Sequence, residues 1–451
     1  EETAPAAVFH LLGGEMRKAT AEVPLSPLWQ DIYGFFDENS QWQKRLSLLK
    51  QGIGKTAKPE RLSPKTAKTL YGKNIFSSVS RLERFAGCPF SFFAEYGLKA
   101  EERRLYQLNT PDLGSLFHEV LELFSNKLEQ DSLPWTSLTK EETTARIHAA
   151  VEDAAPRLGN RILLDSAANQ YLIRRLKRIS TRAAWTLVQH LQQGDFVPAG
   201  YEVGFGAHEA LPPIVIRLQD GGSLILNGKI DRVDLLDANG TRYVKIIDYK
   251  SGNKTFHFQD IYYGLQLQLL VYLDAYLKYY KKTGASFKPG GVFYFRITDP
   301  TLALDEELSA EAIEKILYEK MRMSGLLLQE DVLIHGLDHS LAESRSSAIV
   351  PVGYTKKGDP TAASNLATEE QYAAILDFVA TRTQEIGDAM KAGIITPAPY
   401  RDGQRTPCSY CSYRSLCRHS YAEAPKWRKL KKIDKADFWE TITPKQPPET
   451  E

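Results

Sequence analysis

Between Asn227 and Lys250 the apolar residues recur at every second position in two runs, NGKIDRVDLLDA and TRYVKIIDYK, separated by Asn239-Gly240. Alternation of that kind marks a strand, and Asn-Gly marks a two-residue type I′ turn, so the stretch is predicted to fold as one β-hairpin. With Ala238 and Thr241 flanking the turn, the numbers of facing residues add to 479. Leu235 then meets Val244 and Val233 meets Ile246 on one face, while Asp234 meets Lys245 on the other as an opposite-charge pair. The next pair on the first face is Asp231 with Asp248, two carboxylates roughly 5 Å apart at Cβ. Lys250 follows Asp248 by two residues and shares its face.

The rest of the chain supplies helices and further strands. Residues 1 to about 72 have helical spacing broken by Pro24, Pro27, Pro59 and Pro64. Within them, Gly52-Ile53-Gly54-Lys55-Thr56 has the look of the end of a phosphate-binding loop. The first glycine of that motif would fall at Leu49, behind a helix-like stretch, so no ATP site is assigned. Residues 77 to 98 read as two helices meeting at Cys88, because Gly87-Cys88-Pro89 interrupts the spacing. Asp112 is expected to cap an amphipathic helix whose stripe is Leu113, Leu116, Phe117, Val120, Leu121, Phe124 and Leu128. His118 and Glu122 stand one turn apart on it, and Gly114 lies one turn before His118, where a missing side chain permits close approach.

Residues 160 to 193 form another helix, with Arg174, Arg178 and Arg182 on one side, a face open to solvent or to phosphates. After Pro198 the period falls to two at residues 201–205, 214–218 and 224–226, leading into the hairpin. A long helix over about residues 260 to 280 follows, in which Gln268 and Tyr272 project together at i and i+4, and then a strand over residues 292–297. Residues 325 to 366 are expected to be irregular, and a helix runs from about 369 to 390 and stops at Gly393. The fold class is α/β, a mixed sheet flanked by helices.

A chain of 451 residues allows about two or three domains. It opens at Glu1 in mid-pattern, as expected of part of a longer polypeptide. The net charge of +1 gives no whole-chain field for nucleic acid, so any such surface is a local patch. No apolar run reaches membrane-spanning length without charges or amides, and the expectation is a soluble intracellular protein with no membrane partner.

Two facing carboxylates raise each other's proton affinity unless a cation lies between them. A divalent metal with hard oxygen ligands and a neighbouring lysine suits metal-assisted phosphodiester hydrolysis, whereas surface ion pairs at a strand end would need no metal. The cysteines suggest a second site. Cys408, Cys411 and Cys417 are spaced C-x2-C-x5-C, and Cys88, 320 positions earlier, completes four. Four thiolates suit either zinc or a [4Fe-4S] cluster, with His419 a spare ligand for zinc. A metal there would act as a staple closing a very long loop.

Taken together, these residues resemble the RecB-like nucleases of the PD-(D/E)XK superfamily. The resemblance rests on four motifs in the expected order: G-x-x-x-H-E at residues 114–119, G-x-I-D at 228–231, D-Y-K at 248–250 and Q-x-x-x-Y at 268–272. It implies a restriction-endonuclease-like mixed sheet flanked by helices, with an iron-sulfur staple on Cys88, Cys408, Cys411 and Cys417. It implies that His118, Asp231, Asp248 and the backbone carbonyl of Tyr249 hold Mg²⁺. In the same family Lys250 would position or activate the attacking water, and Gln268 and Tyr272 would orient the lysine or the strand.

The resemblance further implies three domains: a helical lead-in over 1–72 that ends an upstream helicase-like region, a nuclease domain with its cluster over 73–425, and a basic tail over 426–451. The implied role is a DNA nuclease working on single strands and duplex ends in double-strand-break repair. It would pair with an ATP-driven helicase subunit as a heterodimer in the bacterial cytoplasm, at the nucleoid. Two rivals are a self-standing CRISPR-associated exonuclease of the same kind and a non-catalytic DNA-binding scaffold. The intact Asp231, Asp248 and Lys250 argue against the scaffold.

Overall fold

The computed structural model describes residues 5–19, 24–53, 61–101, 110–156, 167–302, 308–417, 419 and 427–443. The chain forms two compact units, one of residues 73–86, 103–388 and 432–451, the other of residues 1–72, 87–102 and 389–431.

The larger unit contains strands β1 (Asn74–Ser77), β2 (Val197–Phe205), β3 (Ile214–Arg217), β4 (Ser223–Leu226), β5 (Gly228–Ala238), β6 (Thr241–Lys250), β7 (Phe287–Arg296), β8 (Ser324–Leu328) and β9 (Leu366–Ala367). Six form one mixed sheet in the order β2-β5-β6-β7-β8-β9, and β1-β4-β3 form a smaller one. The hairpin β5–β6 keeps the predicted register from Ala238 opposite Thr241 to Arg232 opposite Ile247. Asn239 (φ 51°) and Gly240 (φ 75°) supply the left-handed pair that a type I′ turn requires. β6 and β7 run parallel, which demands a crossover, and the helices of residues 258–282 provide it.

Both faces of the hairpin are covered, which changes the meaning of the Asp234–Lys245 pair. Asp234 is fully buried, and its carboxylate accepts from Arg232 Nε (2.6 Å) and Nη2 (3.0 Å) and lies 2.9 Å from Lys245 Nζ. The Arg232 guanidinium sits 4.8 Å over the Trp135 ring and the Lys245 ammonium 4.5 Å over that of Phe196. The cross-strand pair is therefore part of an interior triad of charges rather than a surface contact.

Three expectations need correction. The long helix over 260–280 is two helices, Phe258–Tyr262 and Gln268–Lys282, because Gly264 adopts φ +73° between them. The second helix is capped from outside: Glu83 Oε1 accepts from the amides of Leu267 (2.8 Å) and Gln268 (3.1 Å). Residues 325–366 are not wholly irregular; β8, the helix Asp331–Leu337 and β9 lie there. Leu326, Leu327 and Leu328 are an apolar run too short for alternation to show, the pattern of a strand buried on both faces. The helix carrying His118 begins at Thr110, so Asp112 falls in its first turn and not at its cap.

At the end of the larger unit, residues that read as tail form the helix Lys435–Ile442, which buries Phe438 and Trp439 against Phe258 at ring distances of 5.1 and 5.4 Å. The other unit contains the helices Pro5–Lys18, Pro27–Glu38, Ser40–Ile53 and Pro64–Tyr71. Pro27 and Pro64 stand in the first turn of their helices, where a missing N–H costs nothing. Leu12, Phe36 and Leu46 form the core of the first three, with Phe9 and Trp42 packed on it. Of the loop-like sequence at residues 52–56, residues 54–56 lie outside the described residues.

Candidate metal centre and thiol cluster

The hairpin brings Asp231 and Asp248 into one buried place, as its register requires. Asp231 Oδ2 accepts from the Tyr249 amide at 2.5 Å, and its Oδ1 lies 3.4 Å from Nδ1 of His118. Asp248 Oδ2 lies 2.5 Å from Lys250 Nζ, which reaches Oε1 of Gln268 at 3.4 Å. Tyr272 stacks on Phe205 at 5.6 Å. Tyr249 places its ring 6.0 Å from that of His118. The predicted residues of the larger unit thus come together, with Tyr272 as a wall.

One residue of the centre does not follow from the sequence reading. Glu202 lies in β2 between Tyr201, opposite Arg232, and Val203, opposite Ile230, and so stands across from Asp231 with φ 47°. Its Oε1 is 4.0 Å from His118 Nδ1, and one ligand atom from each of His118, Glu202 and Asp231 lies within 4.8 Å of the others. The signal is present as an acid inside an alternating run, YEVGF, on a third strand, but pairing within the hairpin alone does not reach it. His118 and Glu202, with Gly114, Glu119 and Glu122, line a cavity of about 610 Å³.

The electrostatics describe a site short of positive charge. Burial, then Asp231 and Glu122, push Glu202 up to about 7. Burial and Asp231 push Asp248 up to about 7 against the pull of Lys250. Burial opposes a charge on His118 and on Lys250, yet Asp231 outweighs it for the first and Asp248 for the second, and both are raised. A hard divalent cation matches this set of carboxylate oxygens and one imidazole, and would replace the protons they hold. Metal affinity is therefore expected to tighten as pH rises from about 6 to about 8, with protons released on binding. Calorimetry in buffers of different ionisation enthalpy measures that release, and a pH-independent affinity would contradict it.

Two glycines keep the walls close. A Cβ on Gly114 would lie 3.1 Å from Ser251 Oγ, and one on Gly228 would collide with Tyr272 Oη. Gly228→Ala is expected to displace the tyrosine and cost about 1–3 kcal/mol, the usual penalty of overpacking. Denaturant unfolding measures it, and an unchanged midpoint would show that Tyr272 swings aside freely.

In the smaller unit the four thiols are free, and Cys88 lies within electrostatic reach of Cys408, which in turn reaches Cys411 and Cys417. Burial raises Cys88 and Cys408 adds to it; burial raises Cys408 and Cys417, with Cys411 adding to both. Cys411 Sγ lies 3.9 Å from Ser91 Oγ, one turn beyond Cys88. Thiols held toward the neutral form by burial, as Cys88, Cys408 and Cys417 are, are what a metal centre converts to thiolates.

The sequence matches the PD-(D/E)XK nuclease superfamily over residues 77–418 and the fifth domain of the ATP-dependent helicase/deoxyribonuclease AddB over residues 3–52. Among curated relatives, an ATP-dependent helicase/deoxyribonuclease subunit from Alkaliphilus oremlandii is 40% identical over 98% of this chain and 38% of its own length. Its counterpart in Alkaliphilus metalliredigens is 41% identical over 92% of the chain and 36% of its own length. In Thermoanaerobacter sp. the figures are 36%, 93% and 36%. The chain thus spans somewhat more than a third of these relatives.

Proposed function

Because the chain belongs to the PD-(D/E)XK nuclease superfamily, we propose that it is the carboxy-terminal, nuclease-bearing part of an AddB protein. In this reading it hydrolyses phosphodiester bonds in DNA single strands emerging from an AddA-like, ATP-driven helicase partner, in double-strand-break processing in the bacterial cytoplasm, at the nucleoid. The observation that carries it is the placement of Asp231 against His118 and of Asp248 against Lys250, at the end of one hairpin beside an acid-lined cavity.

His118, Asp231, Asp248 and the Tyr249 carbonyl would hold Mg²⁺, with Glu202 in reach of the same position. When bound, the ion polarises the phosphate and lowers the pKa of a water on it. Lys250, whose ammonium lies 2.5 Å from Asp248, would position or activate the attacking water and stabilise the developing negative charge. Gln268 accepts from Lys250 and holds its head group in place. Tyr272, pinned between Phe205 and Gly228, fixes the helix that carries Gln268.

For the thiols a [4Fe-4S] cluster fits better than zinc. A tetrahedral zinc with bonds of about 2.3 Å holds its sulfurs about 3.8 Å apart. Among the described residues, the group whose ligand atoms converge within 4.8 Å is that of His118, not of the cysteines. The cluster would be structural, a crosslink between Cys88 and the segment of Cys408–Cys417.

The test is a nuclease assay on labelled single-stranded DNA, paired with metal and sulfide analysis of the purified chain. Cleavage that requires Mg²⁺ and stops with a chelator, from a brown protein carrying iron and acid-labile sulfide, is the expected result. An intact substrate at saturating Mg²⁺ overturns the nuclease, and a colourless protein with stoichiometric zinc overturns the cluster.

A further inference from the structure

The helix Ala167–Gln192 carries a surface that the proposed chemistry leaves unused. Arg174, Lys177, Arg178, Thr181, Arg182 and Trp185 fall at helical spacing on one side, away from the buried stripe of Leu176, Ile179, Ala183, Leu187 and Val188. That side is one wall of a cavity of about 400 Å³. Lys140 and His148 of the helix Lys140–Ala154 and Glu314 and Tyr318 of the helix Ala310–Lys320 line the rest.

Charge in this cleft is only partly matched. Lys177 pairs with Glu152 at 2.7 Å, and Arg178 with Asp299 at 2.7 Å. Arg182 shares Asp299 (3.5 Å) and Glu314 (3.6 Å), and Lys140 reaches the same glutamate at 4.0 Å. Five cations thus face three carboxylates, and Arg174 has no carboxylate partner among the described residues. Arg178 is 65% exposed, so its ion pair is cheap to exchange for a phosphate. Trp185 is half-buried in the cavity wall with no ring or hydrogen-bond partner among the described residues. The Thr181 hydroxyl is buried and likewise without a partner among them.

An unmatched basic cluster beside an idle indole is the composition that grips a phosphate and stacks a base. We propose that this cleft binds one nucleoside 5′-phosphate unit, its base against Trp185 and its phosphate on Arg178, with Arg174 one helical turn further on facing the next phosphate of a strand. The volume is that of a small-ligand pocket, which run from about 300 to 1,000 Å³. The unit is either an internal nucleotide of a DNA strand or a free mononucleotide; the preference for DNA rests on the nuclease reading above, and the chemistry of the cleft does not.

The experiment measures binding in chelator, where no cleavage occurs, so its failure is separable from failure of the nuclease. Fluorescence anisotropy follows a short labelled oligothymidylate, and calorimetry follows thymidine 5′-monophosphate, on the whole chain. Arg174→Ala/Arg178→Ala is expected to weaken binding about ten-fold and, on the oligomer, to flatten the plot of log affinity against log salt by about 1.4 units. Trp185→Ala should weaken it about ten-fold, and Trp185→Phe, which keeps a stacking ring, should restore most of the loss. Circular dichroism melts of each variant check the fold. Losses seen with both ligands identify a free-nucleotide site, and losses confined to the oligomer identify a strand anchor. Wild-type binding of both ligands by both variants overturns the proposal. So does a loss on removing the arginines with none at Trp185→Ala, which would mark a bare phosphate patch.

Discussion

Asp248→Ala is expected to lower Mg²⁺-dependent cleavage of single-stranded DNA by about two to three orders of magnitude, the scale of losing one preorganised charged group at a reacting centre. The Asp248 carboxylate is almost wholly buried, shares its site with Asp231 and touches Lys250 at 2.5 Å. Its removal takes one oxygen ligand from the ion and strips Lys250 of the neighbour that most strongly holds its proton. The two losses can be separated. Lys250→Ala should lower the rate comparably while Mg²⁺ still binds, whereas Asp248→Ala should shift the Mg²⁺ titration to higher concentration. Relief of the repulsion with Asp231 offsets part of the packing loss in Asp248→Ala, so the melting temperature should move little. Wild-type cleavage by an Asp248→Ala protein that melts normally would remove Asp248 from the chemistry.

How far this centre could be read from residues alone follows from how local each signal is. The hairpin was legible because period two and Asn239-Gly240 fix a register without help from other elements, and the register fixes the meeting of Asp231 and Asp248. His118 was legible as a polar residue beside an apolar helical stripe. Glu202 was not, because its place depends on how β2 pairs with β5 across a register shift between Pro198 and Gly200, a long-range fact with no local mark. The break at Gly264 was hidden for a related reason: Leu265, Leu269 and Leu273 continue the helical spacing through it, and neither the positive φ of Gly264 nor the capping of Leu267 and Gln268 by distant Glu83 leaves a mark in that spacing. The four cysteines were legible by count and spacing, and the structure gathers them in the unit that also holds the amino-terminal helices.

The interior of the sheet carries the second large effect. Asp234→Ala is expected to destabilise the protein by about 3–5 kcal/mol, because it leaves two buried cations without their shared anion. Arg232 and Lys245 are buried to within a few per cent of completely, and the only carboxylate the structure gives either of them as an ion-pair partner, among the described residues, is Asp234. Burial opposes ionisation of Asp234, yet Arg232 and Lys245 outweigh it and hold its pKa below the ordinary carboxylate value. A depressed acid contributes stability above its unfolded pKa and loses it as pH falls through the folded one, so the triad should persist at neutral pH and fail only in strong acid. Urea unfolding at neutral pH measures the loss in Asp234→Ala. Replacing the whole triad, Arg232→Met with Asp234→Leu and Lys245→Leu, should recover most of it, since apolar side chains of similar size incur no charge desolvation. A loss under about 1 kcal/mol in the single variant would mean that water reaches the two cations, and that the sheet is less tightly covered on that face than the burial of Arg232 implies.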